Sequence, residues 1–261
     1  MREVIYKQTE QGDLKLRIYE PADDGKDRPG VVFYFGGGWA KGTLNQFKAH
    51  SEHLARFGMV AVCAEYRLKS LHGTTPYEST LDGRSAFRWV RSNADELGID
   101  TDRLAAGGGS AGGQVALAVA LAEGENDESD DSSIPCDPSL LLLFNPACDM
   151  VQRSEKFENA EQARTVSPLH LINDRIPPSI QFFGTADKIL DEGKLVQERS
   201  RALGVDAELY LAEGEKHAFF NRSPWKETCI DLMHEYLSKH GYVSGESGIE
   251  VEAKMSELAT I

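Results

Sequence analysis

The 261-residue sequence has no apolar stretch near the roughly 20 residues that a membrane-crossing helix needs. Its first ten residues, Met1 to Glu10, hold no apolar core of the kind that marks a secretory signal. Cysteine is scarce. Cys63, Cys136, Cys148 and Cys229 are scattered without metal-ligand spacing, which favours free thiols in a reducing compartment over a disulfide framework. Positive charge is also short. There are 28 Lys+Arg against 42 Asp+Glu, a formal net charge of -14, which argues against nucleic acid and anionic membranes as partners. No internal repeat and no linker-like boundary is present. Together these absences predict a cytoplasmic protein, and the length suffices for one large α/β domain.

Strand-like and helix-like segments alternate along the chain. Eight segments read as strands: Val4 to Gln8, Leu14 to Tyr19, Gly30 to Phe35, Met59 to Glu65, Leu104 to Gly108, Leu140 to Phe144, Ser179 to Phe183, and Ala207 to Leu211. Helical spacing marks Phe47 to Arg56, Tyr77 to Leu97, Gln114 to Ala122, Glu192 to Leu203 and Trp225 to His240. The alternation predicts an α/β fold: a mostly parallel eight-stranded sheet with helices on both faces. The domain is expected to span 1–243. The acidic stretch from Gly124 to Pro138 reads as a solvated surface loop. The tail, 244–261, reads either as disordered or as a short docking helix over Ile249 to Leu258.

The chemistry-bearing motif is Gly108-Gly109-Ser110-Ala111-Gly112, placed between an apolar strand and a helix-forming run. That is the setting of a nucleophile elbow, where a serine sits on a sharp strand-to-helix turn flanked by small residues. The helix start behind the serine offers unpaired N–H groups and a positive dipole end. Three further features join it. Gly36-Gly37-Gly38 ends an early buried strand and reads either as a plain tight turn or, with the Ala111 amide, as an oxyanion hole built from Gly37 and Gly38. Asp187 follows the strand Ser179 to Phe183. His217 follows the strand Ala207 to Leu211. Singly, Asp187 suits a turn and His217 a solvated surface. Together they give a base and an orienting acid at the same sheet edge as Ser110. His170 is kept as a reserve base and Asp191 as an alternative acid, although Asp191 also suits the start of a helix. Trp39 reads either as lining the site or as packing beside the glycine turn, and Gly109 reads as lining it.

The chain resembles the α/β-hydrolases, and more narrowly the hormone-sensitive-lipase-type esterases, from about Val31 to about Tyr236. The resemblance is carried by Gly36-Gly37-Gly38-Trp39, Glu65-Tyr66-Arg67-Leu68, the segment Leu81 to Val90, the serine motif, Ser167-Pro168-Leu169-His170 and Gly184-Thr185-Ala186-Asp187. It is nearest to the small acetyl- or feruloyl-esterase-like members of polysaccharide-degrading bacteria. Three departures stand out. Phe35 replaces the histidine that usually opens the oxyanion motif, Gly109 replaces the aspartate common before the nucleophile, and Glu65 replaces the aspartate of the Asp-Tyr-Arg-Leu pattern.

The resemblance implies a serine carboxylesterase that needs no metal or organic cofactor. Gly36 comes too early for a large N-terminal cap, so the site is expected to be open, with a small lid from Asp149 to Ala163 or from His72 to Tyr77. An open site suits a short acyl group, such as acetyl, on a carbohydrate or aryl alcohol. An amidase or peptidase using the same residues is the alternative, and a non-catalytic ligand-binding member of the fold is a third reading.

Overall fold

The structure, a computed structural model, describes residues 1–258. One nine-stranded sheet organises them. In chain order the strands are β1 (Arg2–Thr9), β2 (Gly12–Tyr19), β3 (Arg28–Tyr34), β4 (Val60–Ala64), β5 (Ile99–Gly109), β6 (Leu141–Phe144), β7 (Ser179–Gly184), β8 (Ala207–Ala212) and β9 (Ser256–Glu257). Across the sheet they run β1-β2-β4-β3-β5-β6-β7-β8-β9. Strands β3 to β8 are mutually parallel, while β1, β2 and β9 pair antiparallel at the two edges. Strands β3, β4, β6 and β7 are buried along their whole length, as expected where both faces of a parallel sheet are covered. Among the described residues no helix is long and apolar enough to cross a membrane.

Strand β3 lies between β4 and β5, so the strand order reverses there. Such a reversal leaves a crevice at the carboxyl ends of the strands, where open α/β sheets bind ligands. The Gly36-Gly37-Gly38 turn and Ser110 follow β3 and β5 and therefore fall at this crevice.

All eight strands expected from the sequence are present, and β9 adds to them. The tail expected as helix or disorder instead ends, within the described residues, in the short strand β9, which pairs Tyr210 and Leu211 of β8. Without β9, β8 would leave its edge groups unpaired. The Leu258 amide donates to the Leu209 carbonyl at 2.7 Å, and Thr228 Oγ1 donates to the Ala253 carbonyl. The last three tail residues, 259–261, lie outside the described set. The single helix expected over Tyr77 to Leu97 divides into Pro76–Ser92 and Ala94–Leu97. Asn93 sits at the break and turns its amide back onto the Trp89 carbonyl, a local bond that competes with the helix.

The acidic stretch is also more than a solvated loop. Asp127 reaches in to Lys7 Nζ (2.7 Å) and Arg67 (3.4 Å), and Asp130 pairs with Arg88 at 2.8 Å. Beneath them Asp82, fully buried, accepts from Lys7 Nζ and from Arg67 Nε, Nη2 and backbone N. This cluster fixes the segment after β4 and turns Tyr66 under the crevice, where its hydroxyl donates to the Phe35 carbonyl at 2.6 Å. A buried charge cluster is stable only while each charge keeps its partners.

The elbow is tighter still. The helix Ala111–Leu121 starts directly after β5, and Ser110 between them has φ 53° and ψ -113°. A side chain at Gly112 would come within 2.0 Å of the Tyr34 carbonyl oxygen, so the helix can approach β3 only with glycine there. At Gly109 a Cβ would meet Phe220 Cζ at 2.6 Å. Phe220 cannot swing away, because it is buried against Phe47 and Phe144 at ring distances of 5.9 and 5.0 Å.

In urea titrations Asp82→Asn should lose about 3 kcal/mol, because the buried Lys7 and Arg67 would then share Asp127 as their one remaining carboxylate among the described residues. Asp127 carries a second, pH-dependent share. Partial burial raises its pKa, but bonds from Lys7 and Ser129 outweigh this and hold it at about 2, against an ordinary 3.8. Its contribution is therefore full above about pH 4 and is lost as pH falls toward 2, so Asp127→Asn should flatten that part of the acid-stability curve. Gly109→Asp, which restores the commoner residue, should lower Tm, and combined with Phe220→Ala it should cost at least about 1 kcal/mol less than the sum of the single changes.

Candidate active site

Three loops at the carboxyl ends of β5, β7 and β8 bring Ser110, Asp187 and His217 together. Ser110 Oγ lies 2.7 Å from His217 Nε2, and His217 Nδ1 lies 2.7 Å from Asp187 Oδ2. The Asp187 carboxylate is 1 % exposed, whereas the histidine side chain is 38 % exposed. Backbone bonds weld the acid and base loops to each other: Thr185 N donates to the Ala212 carbonyl, Ala186 N to Glu215, and Gly214 N to Thr185 Oγ1. Asp187 Oδ1 accepts from the Ile189 amide at 3.1 Å, which aims its other oxygen at the histidine.

The reserve residues lie elsewhere. Asp191 is exposed in the first turn of the helix Leu190–Ala202 and pairs with Lys194. His170 bonds the Ser167 hydroxyl at 2.9 Å. His50 is fully buried among Phe33, Phe47 and Phe144, and that burial pushes its pKa down to about 3, so it stays neutral. His53 and His234 bond each other at 3.1 Å.

Gly37 (φ 137°) and Gly38 (φ 65°) carry the chain around the end of β3. Their amides, like that of Ala111 at the helix start, have no acceptor among the described residues. The turn is held from behind, with Gly36 N donating to Gln46 Oε1 at 2.5 Å. Trp39 follows in a left-handed conformation (φ 59°) that an indole side chain does not favour. Its Nε1 donates to Gln114 Oε1 at 2.9 Å, and Gln114 Nε2 in turn donates to Thr80 Oγ1 and the Val166 carbonyl. Both readings of Trp39 hold at once. It is 4 % exposed and packs with Ala111, Ala147, Met150 and Phe157, yet its remaining face lines the cavity.

That cavity has a volume of about 490 Å³ and is walled by Trp39, Ser110, Ala147, Arg153, Ile189 and His217, with Lys188 and Lys216 at its edge. Gly109 is not among its walls, contrary to the sequence expectation, because the space beside it is filled by Phe220. Of the two expected lid segments, Asp149 to Ala163 supplies a wall through Arg153, while His72 to Tyr77 supplies none. Arg153 is held by Glu192 Oε1 (2.6 Å) and the Asp149 carbonyl (2.6 Å), and the same Glu192 accepts from the Cys148 and Asp149 amides. Among the described residues no group of three or more His, Cys, Asp or Glu is placed to hold a metal ion.

One residue beside the histidine escaped the sequence reading. Asn145, buried at the end of β6 with φ 41°, accepts from the Ala218 amide at 2.9 Å through Oδ1, and its Nδ2 lies 3.4 Å from His217 Nε2. An asparagine at the carboxyl end of a wholly apolar central strand was the available signal.

The sequence and the architecture have counterparts among known proteins. The family model BD-FAE matches residues 16–137. Carboxylesterase NlhH of Mycobacterium tuberculosis H37Rv is 28 % identical over 240 residues, 80 % of this chain and 72 % of that protein. An arylesterase of Saccharolobus solfataricus is 26 % identical over 250 residues, 88 % of this chain and 80 % of that one. A thermophilic esterase of the planctomycete Thermogutta terrifontis, solved with propionate bound, superposes with a TM-score of 0.88 at 34 % identity, covering 94 % of this chain and 96 % of its own. That likeness spans nearly the whole of both chains, and this protein accordingly belongs to the α/β-hydrolase carboxylesterases of the hormone-sensitive-lipase type and is a serine ester hydrolase.

Proposed function

We propose that the protein hydrolyses short-chain acyl esters, acetyl foremost, of carbohydrate or aryl alcohols, with Ser110 as nucleophile, His217 as general base and acid, and Asp187 as the orienting carboxylate. The observation that carries this reading is the unbroken relay of two 2.7 Å contacts from Ser110 Oγ through His217 to Asp187.

Asp187 holds the proton of His217 on Nδ1, which leaves Nε2 free to accept. As Ser110 Oγ attacks the ester carbonyl, its proton passes to Nε2 and the imidazolium is stabilised by the buried carboxylate. The carbonyl oxygen gains negative charge and takes hydrogen bonds from the amides of Gly37, Gly38 and Ala111. One such donor is typically worth about 3–4 kcal/mol in the transition state. His217 then hands its proton to the leaving alcohol, and the acyl group stays on Ser110. Water, deprotonated by His217, attacks the acyl-enzyme and releases the acid. Asn145 acts as a positioning residue, keeping the histidine loop in register with the serine through the Ala218 amide.

The short-acyl preference is supported by the modest cavity behind Trp39 and by the structures of the Thermogutta esterase with propionate and with butyrate. The aryl alternative for the alcohol half is supported by the arylesterase relative.

An acyl-length series of 4-nitrophenyl esters tests the substrate assignment. The values of kcat/KM for acetate through butyrate should exceed that for octanoate at least about tenfold, and a preference for octanoate would overturn it. Asp187→Asn should reduce kcat by about 10⁴-fold, because the amide favours the wrong histidine tautomer. Asn145→Ala should reduce kcat by about 10²-fold while leaving KM nearly unchanged, the pattern of a misplaced base rather than a lost binding contact.

A further inference from the structure

The cavity beside Ser110 carries a charge that the chain as a whole does not. The protein has a formal net charge of -14, yet the cavity is bordered by Arg153, Lys188 and Lys216 against a single carboxylate, Asp187, which is engaged by His217. Arg153 is fixed in place by Glu192 and its charge is met there. Lys188 and Lys216 differ. Both are exposed, and neither has an ion pair or side-chain hydrogen bond among the described residues. Some lysines elsewhere on the surface are taken up locally, as Lys239 is by Asp206 and Glu208 and Lys194 by Asp191, but among the lysines of the described residues Lys188 and Lys216 alone line this cavity. In a chain with carboxylates in excess, two lysines left unpaired at one mouth give that mouth a positive local field, which draws in and holds an anion.

The position of the lysines says which half of the ester would carry the anion. Lys216 directly precedes His217, and Lys188 directly follows Asp187, so they stand on the loops that bring the base and its orienting acid. In the reaction proposed above, His217 gives its proton to the leaving alcohol, so the alcohol half lies against these loops while the carbonyl oxygen faces Gly37 and Gly38. We infer that the protein prefers esters whose alcohol half bears a carboxylate, such as an acetylated hydroxybenzoate or an acetylated uronic acid, with Lys188 and Lys216 as the recognising residues. Lysine is a mobile point charge rather than a fixed fork, so the site would accept the carboxylate over a range of positions on the ring instead of reading one geometry.

This inference rests on the assignment of Ser110 and His217, and the test separates the two. The acetyl esters of 4-hydroxybenzoate and of 4-hydroxybenzamide differ in charge at nearly equal size. The ratio of kcat/KM for the first over the second removes intrinsic leaving-group reactivity when it is compared between wild type and Lys188→Gln/Lys216→Gln. The ratio should fall by about 3- to 10-fold in the double variant, the scale of exposed charge pairs. In wild type it should also fall as salt rises from low ionic strength to about 0.5 M, where exposed charges are screened within a few ångströms. An equal ratio in the two proteins would overturn the inference. So would a fall seen only with phenyl hydrogen succinate, which would move the anion to the acyl half. Failure of wild type to hydrolyse either ester would instead count against the esterase assignment of Ser110 itself.

Discussion

The close approach of the helix Ala111–Leu121 to the end of β3 is the constraint on which the site depends. The missing side chain at Gly112 lets the helix backbone rest against the Tyr34 carbonyl, and Ser110 is thereby forced into a left-handed conformation at the top of the sheet. Strain of this kind persists only where the surroundings over-determine it. Here the surroundings are the bond from Ser110 N to the Phe144 carbonyl, the bond from Ala147 N to the Ser110 carbonyl, and the ladder of β5 between β3 and β6. The same helix start leaves the Ala111 amide without an acceptor among the described residues.

Around that contact the polar groups are arranged in two tiers. The inner tier, Asp187 and His217, is tied by loop-to-loop backbone bonds that leave the histidine partly exposed. The outer tier, Gln46, Gln114, Tyr66 and Asn145, holds backbone and indole positions with buried or part-buried hydrogen bonds. Buried polar groups of this sort contribute little net stability each, about 1 kcal/mol, but leaving one unpaired is expensive, and they therefore specify geometry more than they add energy. The charge cluster of Lys7, Arg67, Asp82 and Asp127 performs the same service on the far side of Tyr66.

Much of this was legible in the sequence because the relevant signals are local. Alternating apolar runs marked the eight main strands, and glycine punctuation marked the turns after β3 and β5. Asp187 and His217 could be singled out because the residues following parallel strands must share one sheet edge. What escaped was non-local. Asn145 matters through Ala218, 73 positions away. The role of Gly109 depends on Phe220, whose ring fills the space that a side chain would need, so a position that reads as substrate-lining is in fact packing. Asp127 sits in a run that composition marks as solvated, and only the fold brings Lys7 and Arg67 to meet it. The tail pairs with an edge strand whose availability no local pattern announces.

The central claim is that the elbow makes Ser110 the nucleophile. A dialkyl phosphate ester such as paraoxon, which phosphorylates the Thermogutta esterase, offers the most direct measurement: incubation with the folded protein, followed by peptide mass spectrometry. The account predicts one phosphoryl adduct per chain on the peptide containing Ser110, absent in Ser110→Ala and formed far more slowly in His217→Gln. A folded protein that takes up no adduct, or one labelled at another residue with Ser110 untouched, would contradict it.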